Sequence, residues 1–270
     1  MQLQLVRHLW GVDLPIAQAF PKFKEEGYTA IECPLRDDAE FATLLKQYGF
    51  DYVAMAFTGG ASVADHVKSY REQLEKAQKL GAKQLTVHSG SDAWSMSEAE
   101  TFYREIVAIE KDASIQVAHE THRGRVFYSP WITRDLLLKF PALKLCVDFS
   151  HWVCVAERLE WDDAQGSIVK LCAERAVHVH TRVGYEEGPQ VPDPSAPEYK
   201  KHVDTHLDWW TTIFKNQKSR GVKTSTFTPE FGPPGYLHTL PHTNVPVADL
   251  WKVCNWIAER VKNRFAETVG

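Results

Sequence analysis

The sequence has no basic excess: 31 lysines and arginines stand against 35 aspartates and glutamates. A surface that grips nucleic acid regardless of sequence needs such an excess or a clustered stripe, so no nucleic-acid partner is expected. No apolar run reaches the roughly eighteen residues of a spanning segment, and no membrane partner is expected either. The opening residues, Met1-Gln2-Leu3-Gln4, enter a strand-like run without the basic and apolar regions of a secretory signal. Cysteine is scarce, with five residues and no CxxC spacing. Cys33, Cys146, Cys154, Cys172 and Cys254 read as reduced core thiols of a cytoplasmic protein. A nucleotide-binding glycine fingerprint is missing too. Gly59-Gly60 lacks GxGxxG or GKS/T company, and the turn after the first strand is His8-Leu9-Trp10-Gly11.

What is present is alternation. Short β-branched runs give way to amphipathic stretches eight times, with strands expected at 3–9, 29–33, 52–57, 84–88, 115–120, 143–148, 176–181 and 224–230. Ile16, Ala19, Phe20 and Phe23 before Gly27 make one helical face. Val67, Tyr70, Leu74 and Ala77 before Gly81 make another, and Leu250–Phe265, entered through Pro246, a third. Strands separated by helices pair in parallel. Eight such units average about 34 residues, close to the typical (β/α)8 barrel. The expected fold is a single TIM-barrel domain over 1–270, with one long non-periodic loop at 184–197.

A parallel barrel gathers its strand ends, and hence its chemistry, on one face. The polar residues at the expected ends are His8, Glu32, His88, Glu120, Asp148, His180 and Glu230. Such residues occupy roughly one position in six of the sequence, so chance would supply one or two. Glu120, Asp148, His180 and Glu230 each close an apolar strand (IQVAHE, LKLCVD, AVHVH, STFTPE), and a carboxylate at a buried rim is costly unless paired or coordinated. Three carboxylates with one imidazole suit one divalent ion, Mn²⁺ or Mg²⁺ before Zn²⁺ or Co²⁺. The competing reading is a set of rim ion pairs with Arg7, Arg123, Arg125 and Arg182.

The pieces GYTAIEC, LGAKQLTVHSG, AHETHRGR, CVDFSHW, HVHTRVG and TPEFGPPGY resemble signatures of the xylose-isomerase-like TIM barrels, a superfamily of sugar isomerases and epimerases, inosose dehydratases and endonuclease-IV-type enzymes. The resemblance implies Glu120, Asp148, His180 and Glu230 as metal ligands, with Glu120 and Glu230 also the acid–base pair. It implies His151, in Asp148-x-x-His151, as a contact to substrate or a second ion. Arg182 would orient substrate oxygens; His88 matches an extra ligand position of the endonuclease type; His8 and Glu32 are expected as substrate contacts or rim hydrogen bonds. His178 points inward like His180 and competes for the ligand role, the rim position favouring His180. Asp204-Thr205-His206 has the shape of an endonuclease DxH pair, but a surface helix with His202 and His206 one turn apart explains it more simply. The pattern departs from ketose epimerases at Val126, where a second Glu is usual, and at Glu186-Glu187, where an Arg is.

The implied activity is a metal-dependent isomerase or epimerase on a sugar or related polyol; a keto-sugar lyase or dehydratase at the same site, or an endonuclease-type hydrolase, are the alternatives. Phosphate is not expected on the substrate: the seventh-strand loop is acidic, and Pro233 and Pro234 remove two donors from the eighth. Trp94, Trp131, Trp152, Trp209 and Trp210 are candidate sugar platforms near the catalytic face. The loop at 184–197 is longer than an ordinary βα connection and is expected to act as a lid. A homo-oligomer is left open.

Overall fold

The computed structural model describes all 270 residues. Its elements run β1 Gln2–His8, α1 Ile16–Glu25, β2 Ala30–Pro34, α2 Ala39–Tyr48, β3 Asp51–Phe57, α3 Val63–Lys79, β4 Gln84–His88 and α4 Met96–Glu110. They continue β5 Gln116–Glu120, α5 Pro130–Lys139, β6 Leu145–Val147, α6 Ser150–Ala156, α7 Ser167–Arg175, β7 Ala176–His180, α8 Lys200–Ser219, β8 Thr224–Thr228 and α9 Leu250–Thr268. All neighbouring strands pair in parallel, and β8 returns to β1, closing a single (β/α)8 barrel. No helix is long and apolar enough to cross a membrane.

Two strands stop earlier than their apolar runs. Pro229 has no N–H to give the ladder, so β8 ends at Thr228 and Glu230 sits two residues beyond it. β6 keeps only Leu145–Val147, because Asp148 already turns toward α6 and accepts from Ser150 N at 2.9 Å. Helix α9 begins at Leu250 under an Asp249 cap, whose side chain accepts from Lys252 N, rather than at Pro246.

The main core, 59 buried apolar residues, fills the space between the strands and the helix ring. Inside the barrel the apolar floor shrinks to Val6, Ala30 and Val53. Above that floor the interior is polar, with Glu32, Thr86, His178 and Thr228 all buried. Buried polar groups are tolerable only when each finds a partner, so the interior is a hydrogen-bonded plug that fixes what stands on it.

Candidate active site

The ends of β5 to β8 lie side by side in the barrel. They bring ligand atoms of Glu120, Asp148, His180 and Glu230 within 4.8 Å of one another, with all four residues buried. Both oxygens of Glu120, Oε2 of Glu230 and Nδ1 of His180 make no hydrogen bond. His88 Nε2 comes within 2.6 Å of Glu120 Oε2, yet the ring N–H direction misses the oxygen and both atoms stay unbonded. His180 Nδ1 likewise stands 2.9 Å from Glu230 Oε2 and 3.4 Å from Glu120 Oε1 without bonding either. A buried carboxylate oxygen left bare costs on the order of 1–3 kcal/mol or more. Bare atoms facing one another across so small a space fit a divalent cation, which would satisfy them together.

The layer beneath is the opposite case. Glu32 accepts from Thr86 Oγ1 at 2.8 Å, Thr228 Oγ1 at 2.6 Å and His180 Nε2 at 3.1 Å. The last bond puts a His180 proton on Nε2 and aims Nδ1 at the cluster, the way a carboxylate orients a metal-ligating imidazole. His178 lies in this layer too, 2.7 Å from Thr226 Oγ1 and 3.0 Å from Thr228 Oγ1. Burial opposes the charge on His180, but Cys146, Glu230, Glu32 and Glu120 outweigh it and hold the imidazole well above its usual range. A cation at Nδ1 would take the place of that proton. Burial also raises the Asp148 carboxyl to about 6; Arg182 pulls it down, and Glu230 and Glu120 push it up.

Asp148 is the one member of the four with full partners. Its Oδ2 accepts from Arg182 Nη2 at 2.6 Å and its Oδ1 from Ser150 Oγ at 2.5 Å. The rim ion pair expected of Arg182 is therefore present alongside the cluster. Arg182 also meets His151 Nε2 at 2.5 Å, and the His151 ring lies 4.0 Å from that of His122, which neighbours His88 at 4.6 Å. Burial holds His151 neutral and pushes His122 down to about 3. Glu120, His122 and His151 form a second group close enough to share an ion.

A cavity of about 700 Å³ opens onto this rim, with His8, His88, His122, Arg182 and Glu230 in its wall. His8 accepts from Trp10 N at Nδ1, 2.6 Å, so its proton is on Nε2, which lies 3.5 Å from Glu230 Oε1. Trp10 and Tyr236 supply aromatic faces to the same cavity, and Tyr236 also lies under the guanidinium of Arg182 at 5.0 Å.

Several expectations change. Of the two roles expected of Glu32, the structure shows the hydrogen bonds: its carboxylate is taken up by Thr86, Thr228 and His180 in the layer beneath the cluster and lines no part of the cavity. None of the five candidate tryptophans lines it either; Trp152 and Trp210 are core residues, and the cavity's tryptophan is Trp10 in the β1 turn. Arg7 leaves the rim altogether and lies among Phe23, Tyr28 and Trp251, because period-two alternation turns it outward from β1. His206 is on α8 but fully buried: its Nδ1–H donates to the His202 carbonyl and its Nε2 accepts from Gly184 N. The segment 184–197 lines no part of the cavity and is tied down. Gln190 donates to the Gly232 carbonyl and accepts from Gly232 N, and a side chain at Gly184 would strike the Ser150 backbone at 2.4 Å. Sequence reading gives no sign of His122 as a cavity residue, and Arg125, expected in a rim ion pair, meets no carboxylate and lines the cavity instead. Both lie past the end of β5 in His122-Arg123-Gly124-Arg125, where strand periodicity no longer says which way a side chain points.

The family model for the xylose isomerase-like TIM barrel matches residues 20–216. The chain belongs to this family. No curated protein matches it in sequence. Among solved structures, the chain is similar to D-allulose 3-epimerase from Methylomonas sp. in complex with D-allulose, at TM-score 0.65 and 15% identity over 97% of each chain. It is similar to endonuclease IV from Thermus thermophilus, at TM-score 0.59 and 14% identity over 98% of this chain and 99% of that one. A xylose isomerase-like TIM barrel protein from Mycobacterium smegmatis in complex with magnesium is similar at TM-score 0.61 and 12% identity, over 99% and 98%. At these identities the likeness is one of fold.

Proposed function

We propose that this chain is a divalent-metal-dependent isomerase or epimerase that acts on a non-phosphorylated sugar or related polyol by moving a proton beside a carbonyl. One observation carries the reading: buried, unbonded donor atoms of Glu120, His180 and Glu230 converge with Asp148 beside an open cavity whose wall includes Glu230. Three carboxylates and one imidazole favour Mn²⁺ or Mg²⁺, with Zn²⁺ or Co²⁺ next. When bound, such an ion supplies Lewis-acid polarisation of a carbonyl and neighbouring hydroxyl.

The remaining work falls to side chains. Glu120 and Glu230 stand three strands apart in the ring, so their carboxylates reach a substrate from different sides. One removes the proton and the other returns it on the opposite face. His8, whose Nε2–H donates to Met55 Sδ at 3.2 Å, stands beside Glu230 in the cavity wall, and Arg182 with His151 orients a substrate oxygen. The cavity, with Trp10 and Tyr236 in its wall, suits a ring-sized polyol better than a polymer. The similarity in fold to a D-allulose 3-epimerase supports the sugar class.

The test is incubation with free keto sugars and inososes and added Mn²⁺ in D₂O, followed by NMR. Solvent deuterium at the carbon beside the carbonyl, dependent on the metal, is the expected result. Elimination of water would move the reading to a lyase, and a metal-loaded protein that exchanges no proton would end it.

A further inference from the structure

We propose that the substrate of this site carries a carboxylate, and that Arg125 reads it. The inference rests on the sugar reading above and narrows it to a sugar acid or polyhydroxy keto acid.

Three arginines line the cavity, and two are neutralised within the protein. Arg182 is paired with Asp148 at 2.6 Å, and Arg36 with Asp38 at 2.7 Å. No carboxylate reaches Arg125; Glu120 and Asp92 act on it only through space, and burial works against its charge. Its Nη1 donates to the Thr58 and Gly90 carbonyls at 3.2 and 3.3 Å, which pins the side chain to the ends of β3 and β4. Nε and Nη2 have no acceptor. Those two nitrogens form the side-on edge of the guanidinium, the edge that matches a carboxylate with two parallel hydrogen bonds. A half-buried guanidinium held in place with that edge bare is built for an anion the protein does not supply.

No lysine lines the cavity, Arg36 and Arg182 are already paired with carboxylates, and the neighbouring wall at Met55 and Phe57 is apolar. A phosphate monoester carries nearly two charges and three acceptor oxygens, which this wall cannot meet. A carboxylate matches in both charge and shape.

Calorimetry on the Mn²⁺-loaded protein tests this with D-gluconate and D-glucitol, which share a six-carbon polyol chain and differ in the terminal carboxylate. Gluconate is expected to bind at least 10-fold more tightly, and Arg125→Gln to erase that gap at unchanged metal content. Arg125→Lys, which keeps the charge but not the side-on edge, should fall between, and it serves if the glutamine variant does not fold. Equal binding of the two probes by the unaltered protein would overturn the proposal. So would a gluconate preference that survives Arg125→Gln, since the carboxylate would then sit on the metal. Glucitol 6-phosphate binding more tightly than gluconate would replace the carboxylate by a phosphate. Binding is read without turnover, so a gluconate preference with no deuterium exchange would defeat the isomerase reading and leave this one standing.

Discussion

Glu32 inside β2 and Glu120 at the end of β5 are both fully buried glutamates, and both are in reach of His180. Their surroundings are opposite. Glu32 accepts from two threonines and His180, whereas neither oxygen of Glu120 is bonded. Burial pushes both carboxyls up and nearby imidazoles pull both well below the usual range, through His180 and His178 for Glu32 and His88 and His180 for Glu120. The difference therefore lies in hydrogen bonding, and it separates a residue that builds the barrel from one held ready for something else. A carboxylate the fold relies on is surrounded by donors; one kept for chemistry is left bare at the fold's expense.

Removing each should give unequal results. Glu32→Ala is expected to cost the metal-free protein about 3–5 kcal/mol, the cost of breaking a buried charged network. Glu120→Ala deletes oxygens that no donor bonds and loses only their attraction to His88 and His180, so it should cost the metal-free protein clearly less than Glu32→Ala. Urea midpoints measured in chelator would compare them directly, and equal losses would erase the distinction. Asp148→Ala is a poorer probe of the metal, because it strands the fully buried Arg182 as well.

Glutamine substitutions sharpen the same contrast on the chemical side. Glu120→Gln or Glu230→Gln keeps one oxygen donor but loses the basic carboxylate, so turnover should fall about 10²-fold or more with substantial metal still bound. If both groups move protons, one mutant should keep solvent exchange while losing net conversion. Normal turnover in both would shift the proton work elsewhere in the cavity, with His88 or His151 the next groups to replace.

A third contrast sets the site's histidines against His206, buried in the second turn of α8 and hydrogen-bonded only to backbone groups. Burial pushes His206 down to about 3 from an ordinary 6.5. The unfolded chain therefore binds a proton that the folded one refuses between those values, and stability is lost as pH falls from about 6.5 toward 3. From pH 6.5 to 5 the loss should approach 2 kcal/mol, at about 1.4 kcal/mol per unit. His206→Gln should flatten that stretch of the stability profile; an unchanged slope would assign the acid sensitivity to other groups.

These contrasts also mark what sequence can and cannot carry. The barrel was legible because eight apolar runs alternate with 3.6-period faces, and parallel topology then forces all strand ends onto one rim. The convergence of Glu120, Asp148, His180 and Glu230 follows from that rim. Glu32 and Glu120 look alike in sequence because each stands at or near the end of an apolar run, and only the extension of β2 to Pro34 and the donors from β4, β7 and β8 tell them apart. Trp10, His122 and Arg125 lie in turns, where no period orients a side chain. His206 on α8 was expected at the surface, and the chain returning through Gly184 buries it instead.

The segment 184–197 compares with the β8 loop it touches, and gives the smallest expected effect. A lid would line the cavity, but this segment reaches it only through Gln190, whose side-chain amide makes two hydrogen bonds with Gly232. Gly232 in turn packs against the Trp10 ring so closely that a side chain there would meet it at 2.2 Å. Trp10 is part of the cavity wall, so the segment sets the position of an aromatic face without covering the substrate. Gln190→Ala should remove two buried hydrogen bonds at about 1 kcal/mol each. It should raise KM a few-fold through a looser Trp10 while leaving kcat nearly unchanged, because no proton-moving group is touched. A large fall in kcat with an intact KM would instead mean that the segment closes over the site during turnover, as a lid does.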